Sequence, residues 1–474
     1  MLPLYLRQDI LSYYASRACN LFTMHMREEF LHFLWRQARF DLRDLRTTTG
    51  APISIQHFGT HNQDAGPDFS GGQVRVDGVQ WAGNIEIHVN ASQWYEHGHE
   101  TDPAYDNVVL HVVYEEDRPV YRSNGQRIPC LELHSRVPPG IYRTYYRLLH
   151  NEYWIPCQNQ LHLVDEPTKK QWLDQVLRER LAVKSRRITE RLAENDRDWE
   201  DTFYQFLART LGGRVNADAM EMLARSLPLR VLLKHKHSLL QLEALFFGQS
   251  GLIPERAEGE DNYVTLLRRE YELLQIKHSL RPIPATAWRY LRLRPNNFPT
   301  VRIAQLATMV FRTGQLFGKS LAAADAKELA NMYEIELSNY WRSHYRFGKE
   351  VTTSRRRLGT DMIRSILINT VAPALMSYSR HRADERYAER AVALLQQLPA
   401  EDNRIIRKWD KLGMEAKTAA DSQALLELKK NYCVSSRCTD CAIGCQVLTS
   451  YNSEEDAPLL TLNEEAQVYT LLAG

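Results

Sequence analysis

The sequence predicts an α/β fold for its first part and a large all-α region for the rest. Hydrophobic residues alternate along much of residues 52–134, which is typical of strands, whereas the period is helical from about Thr168 onwards. At 474 residues the chain is also too long for one compact core, so we expect two or three domains.

The predicted elements of the α/β part are a helix, three strands, a short helix, a fourth strand and an extra hairpin. The stretch MREEFLHFLWRQARF places its apolar residues at helical spacing, so it predicts an amphipathic helix. Asp77-Gly78 and Asn124-Gly125 predict two hairpin turns, because these pairs readily adopt positive φ values. The predicted strands cover residues 52–58, 73–76, 79–89 and 107–114, and the extra hairpin covers residues 119–134.

The change of period also predicts the domain boundaries, and Pro138-Pro139 marks the end of the first domain. We expect an N-terminal tail at residues 1–25, an α/β domain at 26–140, a helical domain at 141–430, and a cysteine cluster with a C-terminal tail at 431–474.

The composition excludes several classes of protein. A net charge of +2 gives no attraction of the whole chain to nucleic acid, so any such surface must be a local patch. No stretch has the apolar length of a membrane span, and the first residues lack the pattern of a signal peptide. We therefore expect a cytoplasmic protein without a membrane partner, whose seven cysteines are free thiols or metal ligands.

The stretch GPDFSGGQVRVDGVQWAGNIEIHVN carries the candidate site. If Asp77-Gly78 is a two-residue turn, Glu86 and His88 project from one face of the second strand of the hairpin. Strict pairing would place Asp68 on the other face, but a bulge of one residue near Gly71-Gly72 brings Asp68 opposite Glu86. Two carboxylates about 5 Å apart at Cβ repel one another unless a cation lies between them. Their oxygen ligands suit Mg²⁺ or Mn²⁺.

These residues and the order αβββαβ resemble the PD-(D/E)XK nuclease superfamily over about residues 26–135. The matching residues are Pro67-Asp68 at the start of the second strand and Glu86-Ile87-His88 in the third. The resemblance implies a nuclease-like core in which Asp68 and Glu86 bind metal. His88 would stand where the family's lysine orients or activates water, so activity should rise as the pH passes the imidazole pKa of about 6.5. The whole chain also resembles a bacterial domain-of-unknown-function family, which implies no activity.

Neighbouring polar residues leave alternatives open at this site. Glu28 or Glu29 on the first helix would supply the extra carboxylate that many such nucleases have. Polar residues that alternate along a strand are also typical of a solvated face. His97-Gly-His99, near His111, is either a transition-metal site or a pair of exposed histidines beside a turn.

The leading hypothesis is a metal-dependent, nuclease-like protein that hydrolyses DNA or RNA phosphodiesters through the two carboxylates. The alternative, which His88 favours, is a catalytically inactive nucleic-acid-binding or assembly protein that retains the nuclease-like fold. A third hypothesis is a hydrolase of another substrate that uses the histidines. A basic stripe on a predicted helix either contacts phosphates or is a solvated face, and it consists of Arg180, Lys184, Arg187 and Arg191.

A group of cysteines near the C-terminus follows the spacing C-x4-C-x2-C-x3-C, which predicts a metal site holding an iron–sulfur cluster or Zn²⁺. The cysteines are Cys433, Cys438, Cys441 and Cys445. Alternatively, Cys445 packs as a small hydrophobic residue. Several nucleases similar to the superfamily named above hold an iron–sulfur cluster with one remote cysteine and three near the C-terminal end. That resemblance implies Cys157 as the fourth ligand, with Cys445 as the local choice.

Overall fold

The computed structural model describes residues 26–62, 64–255, 261–350 and 357–450. The chain divides into two compact units. The first contains residues 26–172 and 429–450, and the second is Leu173–Leu428. The C-terminal cysteines, within residues 431–450, therefore group with the α/β part; we call these residues the cysteine segment. Residues 1–25 and 451–474, which make up the rest of the expected tails, lie outside the described residues. The predicted fold class, an α/β region followed by a large helical region, is confirmed.

The first unit is built on a mixed sheet with the strand order β1-β3-β4-β5-β6, in which β2 pairs with β3. Neighbours among β1 to β4 are antiparallel, whereas β5 lies parallel to β4 and β6 lies parallel to β5. The strands are β1 Ile53–His57, β2 Thr60–His61, β3 Phe69–Val76, β4 Val79–Asn90, β5 Val108–Glu115 and β6 Cys130–Glu132. The helices are α1 Glu28–Arg36, α2 Gln93–Glu96, α3 Pro139–Leu149, the start of α4 Glu166–Glu194, and a C-terminal helix Ala442–Thr449.

The hairpin of β3 and β4 has the register that the sequence predicts. Asp77 and Gly78 have φ values of +48° and +79°, as a two-residue turn requires. Phe69 pairs with Ile85 while Gly72 pairs with Gly83, so β3 holds one residue more than β4 between these pairs. Gly71, with φ of +69°, lies inside this bulge. The bulge carries Asp68, the residue before β3, onto the face that Glu86 occupies.

The second predicted hairpin differs in its final strand. Its turn at Asn124-Gly125 is present, and Tyr121 bridges Arg127 across it. The chain then continues into β6, which pairs with β5 in parallel. The reason is that β5 is buried along all but its last residue, so its outer edge needs a covering strand.

Helix α1 packs on the sheet against β4. Its apolar residues, among them Phe30 and Trp35, are fully buried, and Phe30 stacks on Tyr145 of α3 at 4.3 Å. The helix ends at Arg36, earlier than the stretch up to Phe40 that the sequence predicted, because Ala38 adopts a left-handed φ of +48°. The packing of α1 against β4 and α3 holds its polar side over the middle of the sheet.

The second unit is almost entirely helical and adds a small ribbon of two strands, His344–Arg346 and Lys349–Glu350. After the remainder of α4, its helices are Trp199–Leu211, Gly213–Ser226, Leu229–Leu233, Leu239–Gln249, Asn262–His278, Pro299–Arg312, Leu316–Ala322, Ala326–Met332, Asn339–Ser343, Thr360–Ile366, Ala372–Arg382, Arg386–Gln397, Arg404–Asp410 and Ala419–Glu427. Within the described ranges, no helix combines the length and the apolar character needed to cross a membrane.

Candidate metal sites of the first unit

Asp68 and Glu86 lie side by side on one face of the sheet. The backbone N–H of Asp68 donates a hydrogen bond of 3.1 Å to Oε2 of Glu86. The backbone N–H of Ile87 donates one of 2.9 Å to Oδ2 of Asp68. Each carboxylate is therefore anchored by a backbone N–H of the segment that carries the other, and the convergence that the sequence register predicted is present.

Two residues of α1 complete this group from above the sheet. Glu28 and His32 lie one helical turn apart, and Nε2 of His32 is 3.6 Å from Oε1 of Glu28 and 3.2 Å from Oδ2 of Asp68. One ligand atom from each of Glu28, His32 and Asp68 lies within 4.8 Å of the other two. Glu29, the other carboxylate that the sequence offered, is exposed. We call Glu28, His32, Asp68 and Glu86 the carboxylate site.

His32 was missed by the sequence prediction. The signal that indicates it is the spacing Glu28-x3-His32, because residues four apart share one face of a helix. That face is polar on an otherwise buried helix and meets the strand carrying Glu86.

The carboxylate site concentrates carboxyl groups in a partly buried place. Burial, reinforced by the charge of Asp68, raises the pKa of Glu28 to about 7 and that of Glu86 to about 9. Burial also lowers the pKa of His32, but the neighbouring Asp68 outweighs this effect and the net pKa is raised. The metal-free site therefore holds protons that a divalent cation would displace.

A cluster of histidines adjoins the carboxylate site. His88 follows Glu86 on the same face of β4, and its Nε2 lies 3.2 Å from Nδ1 of His97. Nε2 of His99 lies 3.4 Å from Oε1 of Glu86. One nitrogen from each of His88, His97 and His99 lies within 4.8 Å of the other two. We call these three residues the histidine site.

The alternating polar residues of β4 were also compatible with a solvated face, but this face is buried. Glu86 and His88 are only 4% and 1% exposed, and His111 of β5 is fully buried. Nδ1 of His88 shares a hydrogen bond of 2.8 Å with Nε2 of His111. The histidines of the two strands therefore form a buried polar layer under the segment that follows β4.

His88 does not supply the charge that a lysine would supply at its position. Burial, reinforced by the neighbouring histidines, lowers its pKa to about 2, so the ring is neutral throughout the physiological range. The expected rise of activity near the ordinary imidazole pKa therefore has no basis in His88.

The loop after β4 brings two histidines back over the sheet. His97 ends α2, and His99 begins a 3₁₀ turn. Between them Gly98 adopts a left-handed φ of +75°, which side chains with a Cβ disfavour. Tyr105 stacks on His99 at 3.7 Å between ring centroids, and the buried Trp94 lies edge-on to the same ring. This packing holds His99 toward Glu86.

The structure brings Cys157 to the C-terminal cysteines. Cys157 directly precedes the 3₁₀ helix Gln158–Leu163, Cys441 directly precedes the helix Ala442–Thr449, and these two helices pack together. Burial raises the pKa of Cys157 to about 11 and that of Cys441 to about 12. Burial also raises the pKa of Cys433 and Cys438, and the charge of Cys157 adds to the effect on both.

Cys445 has a different environment from these four thiols. Its Sγ donates a hydrogen bond of 3.1 Å to the carbonyl of Thr439. Burial raises its pKa to about 12, and Arg36, rather than Cys157, is its strongest charged neighbour. The local and the remote candidate for the fourth ligand, Cys445 and Cys157, therefore both lie near Cys438, but Cys445 already has a hydrogen-bond partner.

Most of the basic stripe on α4 is engaged within the second unit. Arg180 donates to Glu427 at 2.6 Å, Arg191 pairs with Glu194 and Glu221, and Lys184 donates to Gln423 at 2.7 Å. Arg187 is exposed. The stripe as a whole is thus not an open basic surface.

Part of the stripe lines a cavity of ≈ 360 Å³ in the helical unit. Its basic lining residues are Lys184, Arg187, Arg209 and Arg214. Burial lowers the pKa of Lys184 to about 7, so that side chain gains from a nearby anion. The lining contains no acidic residue, which makes it a candidate for binding a phosphate group.

Comparison with known protein families matches residues 28–404 to a family described as "Protein of unknown function (DUF2851)". The matched range includes the carboxylate site, the histidine site and Cys157, and it ends before the C-terminal cysteines. Neither the curated proteins nor the solved structures contain a significant match.

Proposed function

The chain belongs to the DUF2851 family, and we propose that it is a metal-dependent hydrolase of nucleic-acid phosphodiesters. The observation that carries this proposal is the convergence of Glu28, His32 and Asp68 within 4.8 Å of one another, beside the buried Glu86. Two carboxylates at such spacing, with the buried carboxyl group of Glu86 beside them, are costly to keep together unless they bind a cation.

The carboxylate site would hold the cation through oxygens of Glu28, Asp68 and Glu86, with His32 as a nitrogen ligand. Oxygen ligands suit Mg²⁺, and one imidazole among them favours Mn²⁺. A bound cation supplies charge that polarises a phosphate and lowers the pKa of water. The protein's own contribution is positional, because the backbone N–H groups of Asp68 and Ile87 fix the carboxylates of Glu86 and Asp68, respectively.

Nucleic acid is the substrate class that we propose, because the helical unit offers the basic cavity described above. Lys184, Arg187 and Arg214 line it together with Thr210 and Asn369, so charged and neutral donors face the same space. Phosphate oxygens accept from both kinds of donor.

A second candidate function is nucleic-acid binding or assembly without turnover. His88 favours it, since a buried neutral ring replaces the lysine of the nuclease family. The two functions differ in one outcome. A binding protein retains affinity for nucleic acid and gives no cleavage with any divalent cation.

We also propose that four cysteines of the first unit form a structural metal centre: Cys157, Cys433, Cys438 and Cys441. Four cysteine thiolates suit either an iron–sulfur cluster or a Zn²⁺ ion.

The decisive experiment is a cleavage assay of the full chain on single- and double-stranded DNA and RNA with Mg²⁺ or Mn²⁺. We expect metal-dependent cleavage that falls at least about 100-fold in the double variant Asp68→Ala/Glu86→Ala. Asp64→Ala, which removes an exposed carboxylate of the same loop, is the matched control. Cleavage that survives the double substitution would overturn the site assignment.

A further inference from the structure

The histidine site has the geometry of metal ligands. Nε2 of His88 lies 3.2 Å from Nδ1 of His97, and Oε1 of Glu86 lies 3.4 Å from Nε2 of His99 and 3.6 Å from Nε2 of His88. Ligand atoms at about 2.0–2.2 Å from one tetrahedral ion lie about 3.3–3.6 Å from one another. We propose that His88, His97, His99 and Glu86 form a second metal site, which binds a transition-metal dication of the Zn²⁺ class.

The ligand types select this class of ion. Three imidazoles and one carboxylate suit Zn²⁺, Co²⁺ or Ni²⁺, whereas Mg²⁺ prefers a shell of oxygens. The histidine site therefore differs in preference from the carboxylate site beside it, in which oxygens predominate.

His88 is oriented for this role by a neighbour that does not bind the ion. His111 shares a hydrogen bond of 2.8 Å with Nδ1 of His88, which turns Nε2 of His88 toward His97 and Glu86. Such a partner behind a ligating imidazole is the usual arrangement at protein metal sites. His111 is thus a positioning residue.

The site is also reachable from solvent. His88 is buried and His99 is partly buried, but His97 is exposed at the end of α2. An ion can therefore enter past His97 and meet the two fixed ligands behind it.

Glu86 connects the two sites. Its Oε1 faces His88 and His99, while its Oε2 accepts the hydrogen bond from the N–H of Asp68. A carboxylate in this position can bridge two ions, as in hydrolases that use a pair of metals. This bridging role rests on the proposed hydrolase function, whereas metal binding at the histidine site does not.

The test is a titration of the metal-free full chain with Co²⁺, followed by visible absorption, with bound metal counted by elemental analysis. We expect a band of four-coordinate Co²⁺ and an affinity at least about 10-fold weaker in His97→Ala. His162→Ala, which removes an exposed histidine of the same unit, should leave both unchanged. Glu28→Gln should retain the band, because Glu28 belongs to the carboxylate site alone.

His97 is exposed, so its substitution should leave the fold intact, which circular dichroism checks. His99→Gln is the second variant and should lose the band in the same way. An unchanged Co²⁺ affinity in both variants, or a folded wild-type chain that gives no band, would overturn the proposal. A wild-type chain that gives the band but no cleavage with any divalent cation would instead contradict only the hydrolase function.

Discussion

Glu28 and Asp68 face the same ring nitrogen, Nε2 of His32, from 3.6 Å and 3.2 Å, although one lies on a helix and the other precedes a strand. Because Glu28 is part of the carboxylate site, Glu28→Gln should weaken Mn²⁺ binding about 10-fold or more. Glu29→Gln, which changes the exposed neighbour on the same helix, should have no effect. Calorimetric titration of both variants measures the difference, and equal affinities would exclude Glu28 as a ligand.

The stability of the metal-free protein should fall as the pH rises. The pKa values of Glu28 and Glu86 are about 7 and about 9 in the folded chain against an ordinary 4.5, so the folded state binds their protons more tightly. Their stabilising contribution is complete below pH 4.5 and is lost as the pH passes through 7 and 9. We therefore expect the free energy of unfolding to fall as the pH rises over this range, measured by denaturant unfolding at several pH values.

The variant Glu86→Gln separates this effect from ordinary titration. Its amide carries no charge, so the metal-free variant should lose less stability at alkaline pH than the wild type. Mn²⁺ should stabilise the wild type there and the variant much less. Identical dependence of unfolding free energy on pH in both proteins would show that the carboxylate site does not govern stability.

Gly98→Ala should impair the histidine site through the backbone. At a φ of +75° a residue with a Cβ costs about 1 kcal/mol, and relaxation of that strain would move His97 and His99. Gly125→Ala is a matched control, since that turn has a φ of +79° and open space around it as well. Both should lose similar stability, but only Gly98→Ala should weaken Co²⁺ binding. Equal Co²⁺ affinities would show that the turn does not position the ligands.

Cys157→Ala should abolish the proposed metal centre of the cysteine segment. Anaerobically purified wild type should be brown if the centre is an iron–sulfur cluster, or colourless with bound zinc if it is a zinc site. The variant should lose the metal and melt at lower temperature, because the link between distant segments is gone. Cys130→Ala, a buried cysteine of β6, should keep the metal. Full metal content in Cys157→Ala would transfer the role to Cys445.

Arg187→Ala should weaken nucleic-acid binding and lower the dependence of log Kd on log salt by about 1. Arg187 lines the basic cavity, whereas the exposed Arg186 beside it does not. Arg186→Ala is therefore the matched control. Fluorescence anisotropy with a labelled oligonucleotide at several salt concentrations distinguishes them, and equal slopes would exclude the cavity as a phosphate site.

The register of the carboxylates could be predicted because it follows from local rules. Asp77-Gly78 fixes the turn, alternation fixes the face of Glu86, and only a bulge at the glycines brings Asp68 to that face. All of these residues are close in sequence, so their register does not depend on what covers the sheet.

The rest of the site depends on contacts between distant segments. His32 lies on a helix that approaches β4 only in the folded chain, and the burial of His88 depends on the loop that follows β4. For the same reason, the sequence alone did not decide whether His97 and His99 are metal ligands or exposed residues. Which of Glu28 and Glu29 faces the sheet also required the packing of α1.

The first unit is assembled from two stretches of chain that the helical unit separates, and this order bears on its synthesis. The side chain of Arg36 on α1 donates a hydrogen bond of 2.6 Å to the carbonyl of Thr439. On the ribosome, residues 26–172 emerge first but cannot make that contact until the helical unit has been translated. Premature termination near residue 428 would therefore spare the helical unit and leave the sheet-bearing unit as the incomplete, aggregation-prone part.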